Sequence, residues 1–125
     1  MEIPGYKILE PLGKGGMAQV YLALQESVGR KVAIKVMNAS LTPDPQFIER
    51  FIAEARCANL SHPNIITVFD AGQAGNQPYI VMEYIEGGDL AKRLRQGPLT
   101  PAQALSVIRQ VAGALHTSHQ KGYVH

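Results

Sequence analysis

Apolar and polar positions alternate along the first forty residues, and glycines interrupt the alternation. Side chains of a strand point alternately to its two faces, so this pattern predicts strands over 6–12, 19–24 and 31–37. The cluster Gly13-Lys-Gly-Gly16 separates the first two strands, and a turn at 27–30 precedes the third. We therefore expect three strands, the first two of which form a hairpin.

The period becomes helical from residue 46 to residue 60, where Phe47, Phe51, Ala55 and Ala58 fall on one face. The sequence Ser61-His-Pro-Asn64 should end this helix, because proline restricts the residue before it. Two further strands are predicted over 65–69 and 78–84, joined by a turn-rich segment at 71–76.

A short helix is expected after residues 87–89, and a long helix after Thr100, where Pro101 and a capping-box pattern favour a helix start. Five strands with one helix after the third, followed only by helices, predict an α+β fold. Its sheet domain comes first, and the beginning of a helical domain follows.

The composition is that of a globular domain: 125 residues, 46% of them apolar and 18% charged. A net charge of +2 is too small to argue for nucleic-acid or membrane binding. Cys57 is the single cysteine, which excludes an internal disulfide and is expected to be a packed small residue. No apolar stretch is long enough to span a membrane, and the polar start is no secretory signal. We expect a cytoplasmic chain, although a full-length product could be membrane-tethered.

The glycine cluster at 13–16 could bind phosphate, because glycines let the backbone come close and its N–H groups can surround an anion. A dinucleotide-binding fold would begin a helix directly after the glycines, whereas 19–24 is predicted to be a strand. A P-loop would end in Gly-Lys-Ser/Thr, and Met17-Ala18 does not fit it. A plain glycine-rich hairpin turn stays open on this motif alone.

Lys35 shares a face of the third predicted strand with Ala33 and Met37. A buried ammonium is costly without a partner, so this lysine needs a counter-charge unless it lies at a solvated edge. Glu54 lies on or beside the apolar stripe of the next helix, and carboxylates are seldom buried unpaired. We expect a Lys35–Glu54 ion pair, which either holds the ammonium against the α- and β-phosphates of a nucleotide or is purely structural.

The motifs follow one another in a recognisable order: Leu12-Gly-Lys-Gly-Gly-Met-Ala-Gln-Val-Tyr21, Val32-Ala-Ile-Lys35, Glu54, Met82-Glu-Tyr-Ile85 and Gly122-Tyr-Val-His125. Together they resemble the signature set of Hanks-type (eukaryotic-like) Ser/Thr protein kinases, especially the bacterial ones, from about residue 6 to residue 125. Ala18 replaces the third loop glycine, a mild change also found in related bacterial loops.

The resemblance implies a protein-kinase-like fold and a partial kinase domain over 1–125. An N-lobe with its hinge would occupy about 6–85, as a five-stranded antiparallel sheet with the helix that the family calls αC. The start of a helical C-lobe, with the family's αD and αE helices, would occupy 86–125.

The resemblance also implies that the chain binds ATP. Val20 and Ala33 would sandwich the adenine ring, and Met82 would be the gatekeeper residue. Lys35 would hold the phosphates, with Glu54 as its partner, and these two are the predicted catalytic residues.

The hinge would present backbone groups of Glu83 and Ile85 to the adenine edge, and Asp89 would lie near the ribose. The full set of predicted ATP-binding residues is Leu12, Gly13, Lys14, Gly15, Gly16, Val20, Ala33, Lys35, Met82, Glu83, Ile85 and Asp89.

The family's catalytic Asp and its Mg²⁺ ligands would follow His125, so this chain alone is expected to be inactive. The expected function is the ATP-binding portion of a Ser/Thr protein kinase, which transfers the γ-phosphate to proteins bound by the missing lobe. The alternative is a truncated, non-catalytic pseudokinase that holds a nucleotide or a partner. A small-molecule phosphotransferase fits the His62-Pro-Asn64 loop less well.

The predicted long helix carries two histidines and an apolar stripe. His116 and His119 lie three residues apart, but no further ligand is in view, so we predict no metal site in this chain. The apolar stripe of the helix would pack inside the absent lobe, so its exposure and a tendency to aggregate are expected. The stripe consists of Leu105, Ile108, Ala112 and Leu115.

Overall fold

The computed structural model describes residues 2–14, 18–38, 45–57 and 60–123, with all of their side chains except those of Phe47, Glu54 and Cys57. The elements are β1 (Tyr6–Lys14), β2 (Ala18–Gln25), β3 (Arg30–Met37), α1 (Pro45–Cys57), β4 (Val68–Ala74), β5 (Gln77–Glu83), α2 (Leu90–Arg95) and α3 (Pro101–Gln120). The strands form one antiparallel sheet in the order β1-β2-β3-β5-β4. The predicted α+β fold with a five-stranded antiparallel sheet is confirmed.

The chain forms two compact units. The first contains residues 1–59 and 67–84 and holds the whole sheet and α1, and the second contains residues 60–66 and 85–125 and holds α2 and α3.

The fourth strand lies further along the chain than the sequence predicted. It covers Val68–Ala74 and includes most of the segment predicted to be a turn, whereas residues 65–67 are not in a strand. The turn is confined to Gly75 and Asn76, and Gly75 has a φ of 61°, a conformation that glycine adopts without strain. A two-residue turn of this kind fixes the register of a hairpin, so pairing with β5 outweighs the low strand propensity of Ala71-Gly-Gln-Ala74.

The main core of the first unit lies on one face of the sheet. Val32, Ile34 and Val36 of β3 point to this face and pack with Ala23 of β2 and Val81 of β5. Ile3 of the N-terminal segment completes the core, and the partly buried tyrosines of β1, β2 and β5 pack against it. Successive side chains of a strand point to opposite faces, so Ala33 and Lys35 of β3 lie on the other face of the sheet.

Helix α1 packs against β4 and β5. Ile48 and Ala55 are buried in it, and Phe51 is half-buried. The sequence predicted the contribution of Ala55 and Phe51 but missed Ile48, and Ala58 lies outside the described residues. The helix was also predicted to reach residue 60, but Leu60 is not helical.

The second unit is organised by its helix caps. Thr100 accepts a hydrogen bond from the N–H of Gln103, and the side chain of Gln103 accepts one from the N–H of Thr100, so the predicted capping box is present. A turn at residues 62–65 bonds to the middle of α3, because Asn64 donates through Nδ2 to Oε1 of Gln110 at 3.0 Å.

The apolar stripe of α3 is exposed, as the sequence predicted: Ile108 has 64% of its surface accessible, and Leu105, Ala112 and Leu115 are exposed as well. Among the described residues, no helix is long and apolar enough to cross a membrane.

Gly72 faces Tyr79 across the β4–β5 pair, and a Cβ at Gly72 would lie 2.6 Å from the phenol oxygen. We expect Gly72→Ala to lower the free energy of unfolding by about 1–3 kcal/mol, because the ring would have to move. Gly13→Ala is the control, since nothing lies within 4 Å of its Cβ position. Urea unfolding of both variants checks this, and an equal loss in both would contradict it.

Burial raises the pKa of Tyr6 and Tyr79, and the nearby carboxylate of Asp70 raises both further. A raised pKa in the native state means that the fold favours the neutral phenol, so stability is full below about pH 10 and falls as the pH rises through the raised values. We expect Tyr79→Phe to lose less stability than the wild type between about pH 8 and about pH 10.5. Urea unfolding at both pH values measures this, with Tyr84→Phe as the control. The same alkaline loss in Tyr79→Phe and wild type would refute it.

Candidate functional site

Two rows of side chains lie side by side on the face of the sheet opposite the main core. In one row, Lys35 of β3 is paired with Val20 of β2 and with Ile80 of β5. Residues directly opposite each other in antiparallel strands have Cβ atoms about 4.5–5.5 Å apart and share a face.

The second row is centred on Ala33, two residues before Lys35 on the same strand. Ala33 is paired with Leu22 of β2 and with Met82 of β5. The register therefore brings Val20, Ala33, Lys35 and Met82 together on one face, although they are up to 62 residues apart in sequence (82 minus 20).

The two rows differ in burial and in charge. Ala33 and Leu22 are only 7% and 6% exposed, and Met82 is half-buried. Lys35 is exposed, although it lies on a central strand between buried Ala33 and Met37. The apolar row around Ala33, next to the solvated ammonium of Lys35, suits a ligand with an apolar ring and an anionic group.

Lys35 is exposed, which corrects the expectation that its ammonium is buried. The sequence predicted a buried ammonium that would need a counter-charge, and it placed the alternative, a solvated lysine, at a sheet edge. The structure has a solvated lysine in the middle of the sheet. The cost of desolvation therefore does not by itself require a partner for Lys35.

Glu54, the predicted partner, lies in α1, but its side chain is outside the described residues. The Lys35–Glu54 ion pair thus stays a prediction.

Strand β1 brings the start of the glycine cluster to the same region. Gly13 is paired with Val20, and Lys14 with Gln19. Leu12 is an extra residue in β1, since Pro11 and Gly13 pair with consecutive residues of β2. This bulge leaves Leu12 partly exposed, with 41% of its surface accessible. Gly15 and Gly16 lie outside the described residues.

The end of β5 is held by a pair of hydrogen bonds that the sequence did not predict. The N–H of Glu83 donates to the carbonyl of Thr67 at 2.9 Å, and the N–H of Thr67 donates to Oε2 of Glu83 at 3.3 Å. The side chain of Glu83 thus fixes its own backbone at the point where β5 ends. The sequence signal was a glutamate near the end of an apolar strand, which did not identify Thr67 as the partner.

The last two predicted binding residues belong to the second unit. Ile85 is exposed, and Asp89 is the N-cap of α2, where its Oδ1 accepts the N–H of Lys92 at 2.7 Å. The structure thus gives Asp89 a capping role that a sequence argument about ribose did not include.

Comparison with known proteins identifies relatives over nearly the whole chain. The family described as "Protein kinase domain" matches residues 6–125. The serine/threonine-protein kinase PknB of Mycobacterium tuberculosis is 45% identical over 126 aligned residues, which cover 96% of this chain and 20% of that protein. Pkn2 of Myxococcus xanthus is 42% identical, with 96% and 15% covered, and PrkC of Bacillus subtilis is 43% identical, with 96% and 19% covered; both are also serine/threonine-protein kinases.

Solved structures agree with this result. The crystal structure of the Mycobacterium tuberculosis PknI kinase domain is 32% identical and superposes with a TM-score of 0.84, over 100% of this chain and 52% of that one. The chain therefore spans 15–20% of the length of these curated relatives and about half of the solved kinase domain.

Proposed function

This chain belongs to the protein kinase family, and on that premise we propose that it forms the ATP-binding portion of a Ser/Thr protein kinase. The complete protein would transfer the γ-phosphate of ATP to serine or threonine residues of other proteins. The relatives are named as serine/threonine-protein kinases, and we extend that acceptor class to this chain as part of the proposal.

The observation that carries the proposal is the pair of rows on β2, β3 and β5. Ala33 and its neighbours offer an apolar surface, and Lys35 offers a cation one strand repeat, about 7 Å, further along β3. An adenine ring against Val20 and Ala33 would leave the phosphates extending towards Lys35. This matches the order of ring, ribose and phosphates in ATP.

Lys35 would bind the phosphate oxygens through charge-assisted hydrogen bonds, which are shorter and stronger than neutral ones. In the proposed role, Glu54 would orient the ammonium, and the backbone of the glycine cluster at 13–16 would bind further phosphate oxygens. Catalysis of phosphoryl transfer depends mainly on such positioning and on stabilisation of charge.

Protein kinases use Mg²⁺ with ATP, where the metal neutralises charge on the phosphates. Among the residues that the structure describes, no group of three or more His, Cys, Asp or Glu is placed to hold a metal ion. We therefore assign no Mg²⁺ ligand among the described side chains and derive no step through the metal.

The test is the substitution Lys35→Met in the full-length protein that carries this chain. We expect phosphoryl transfer to fall by at least ~100-fold, because the charge that positions the phosphates is lost, while the fold stays intact. Transfer of labelled phosphate from ATP to casein measures the activity, and the melting temperature reports the fold.

Lys31→Met is the matched control. Lys31 lies on the same strand and the same face, is also exposed, and is four residues, or about 13 Å, away from Lys35. It should keep the wild-type rate. Undiminished transfer by Lys35→Met would refute the role of Lys35, whereas a wild-type protein that binds ATP and transfers no phosphate would favour the non-catalytic alternative.

A further inference from the structure

We propose that Arg56 is a positioning residue that fastens α1 to the outer edge of β4 and thereby fixes the helix that carries Glu54 relative to Lys35. Nη2 of Arg56 donates to the backbone carbonyl of Ala71 at 2.8 Å. The proposal rests on the proposed function in one respect, the roles that this function gives to Lys35 and Glu54.

The bond lies at the open edge of the sheet. Strand β4 is the last in the order β1-β2-β3-β5-β4, so in the described sheet it has a neighbour on one side only. The N–H and C=O of a residue in an antiparallel strand point to the same side. Both groups of Ala71 bond to side chains, the N–H to Oδ1 of Asp70 at 2.8 Å and the C=O to Arg56. We infer that they face the open edge, which these two side chains close.

Burial makes the bond to Arg56 important. Ala71 is only 2% exposed, and a buried carbonyl without a partner is unfavourable. The guanidinium supplies a charge-assisted hydrogen bond at this point, while the rest of the Arg56 side chain stays partly in solvent. The bond thus combines a strong donor with an acceptor that has little access to water.

The phenol of Tyr79 lies close enough to the same guanidinium to be affected by its charge. Burial raises the pKa of Tyr79 most, and the charge of Arg56 opposes that rise. Tyr79 lies on β5 opposite Gly72, the residue after Ala71. Arg56 is therefore close to two neighbouring positions of the β4–β5 hairpin.

The carbonyl that Arg56 holds lies in the same row of the sheet as Lys35. Ala71 pairs with Ile80 of β5, and Ile80 pairs with Lys35 of β3. Neighbouring strands are about 4.8 Å apart, so the backbones of Ala71 and Lys35 are separated by about 10 Å of continuous sheet. If α1 moved away from the carbonyl of Ala71, the helix would therefore also move relative to Lys35.

Helical geometry explains what the bond restrains. Residues two apart in an α-helix project about 200° apart, so positions 54 and 56 lie on nearly opposite sides of α1. The apolar contacts of Ile48 and Ala55 are non-directional and allow a helix to roll on the sheet. A directional bond at position 56 opposes this rolling and so sets the angle at which position 54 faces the site.

The experiment is a double-mutant cycle in the full-length protein, with Arg56→Ala, Glu54→Gln and the combination. We expect Arg56→Ala to lower kcat by roughly 10- to 100-fold with a smaller change in KM for ATP, as expected when a group is displaced by about 1 Å. In the Glu54→Gln background, Arg56→Ala should change kcat by less than about 2-fold, because the group that it positions is already disabled.

Three further variants keep the result interpretable. Arg56→Lys retains a donor and should recover part of kcat, whereas Arg56→Met removes the donor but keeps a long side chain, so Arg56→Met carries the test if Arg56→Ala does not fold. Arg50→Ala removes an exposed arginine six residues earlier in the same helix and should keep the wild-type kcat.

Two outcomes would overturn the proposal: a wild-type kcat in the variants that remove the donor, Arg56→Ala and Arg56→Met, or the same loss in the Glu54→Gln background as in the wild type. The second would mean that Arg56 supports stability alone. An unchanged kcat in Glu54→Gln itself would instead remove the proposed role of Glu54, so the failure of the proposed function is seen separately.

Discussion

The register of β3 between β2 and β5 is the constraint on which the rest of the sheet unit depends. Alternate residues of β3 face opposite sides, so a slip of one residue would exchange Val32, Ile34 and Val36 with Ala33 and Lys35. Such a slip would place an ammonium in the main core and leave three branched apolar side chains without their packing partners. The core on one face therefore fixes the candidate site on the other, and the two cannot be altered independently.

Strand β4, at one edge of the same sheet, has a low strand propensity of its own. The segment Ala71-Gly-Gln-Ala74 has little β-branched or aromatic content, and β4 pairs with β5 alone within the described sheet. Other contacts support it: the tight turn at Gly75, the ring of Tyr79 against Gly72, and the side chains of Asp70 and Arg56 that bond to Ala71. Helix α1 packs on this hairpin, so the supported edge also anchors the element that carries Glu54.

Sequence reasoning succeeded where the determining interaction is local. The capping box at Thr100 lies within four residues, and the alternation of β3 lies within eight, so both could be inferred from the sequence. The site residues on β2, β3 and β5 were assigned by resemblance to a family, and the register then showed that four of them share a face.

The errors have a common cause in non-local pairing. The position of β4 was wrong because its pairing with β5 overrides its own propensity. The bonds from Arg56 to Ala71 and between Thr67 and Glu83 were missed because backbone groups are the partners, and every residue has those. The burial expected for Lys35 was wrong because an apolar neighbourhood along one strand does not determine how far a long side chain reaches into solvent.

The exposure of Lys35 also bears on how binding energy would be divided in the proposed site. Because the ammonium of Lys35 is solvated in the free protein, folding does not remove its water, and the free-energy cost of desolvation arises only when a ligand binds. In water, its attraction to a phosphate charge 4 Å away is about 1 kcal/mol, and it rises to about 4 kcal/mol at the effective dielectric of a partly closed surface. The apolar row around Ala33 would therefore supply the first part of the affinity, by covering the site with the ring. Lys35 would contribute fully only after that cover had lowered the local dielectric, which makes the cation more important for orienting the phosphates than for capturing the nucleotide.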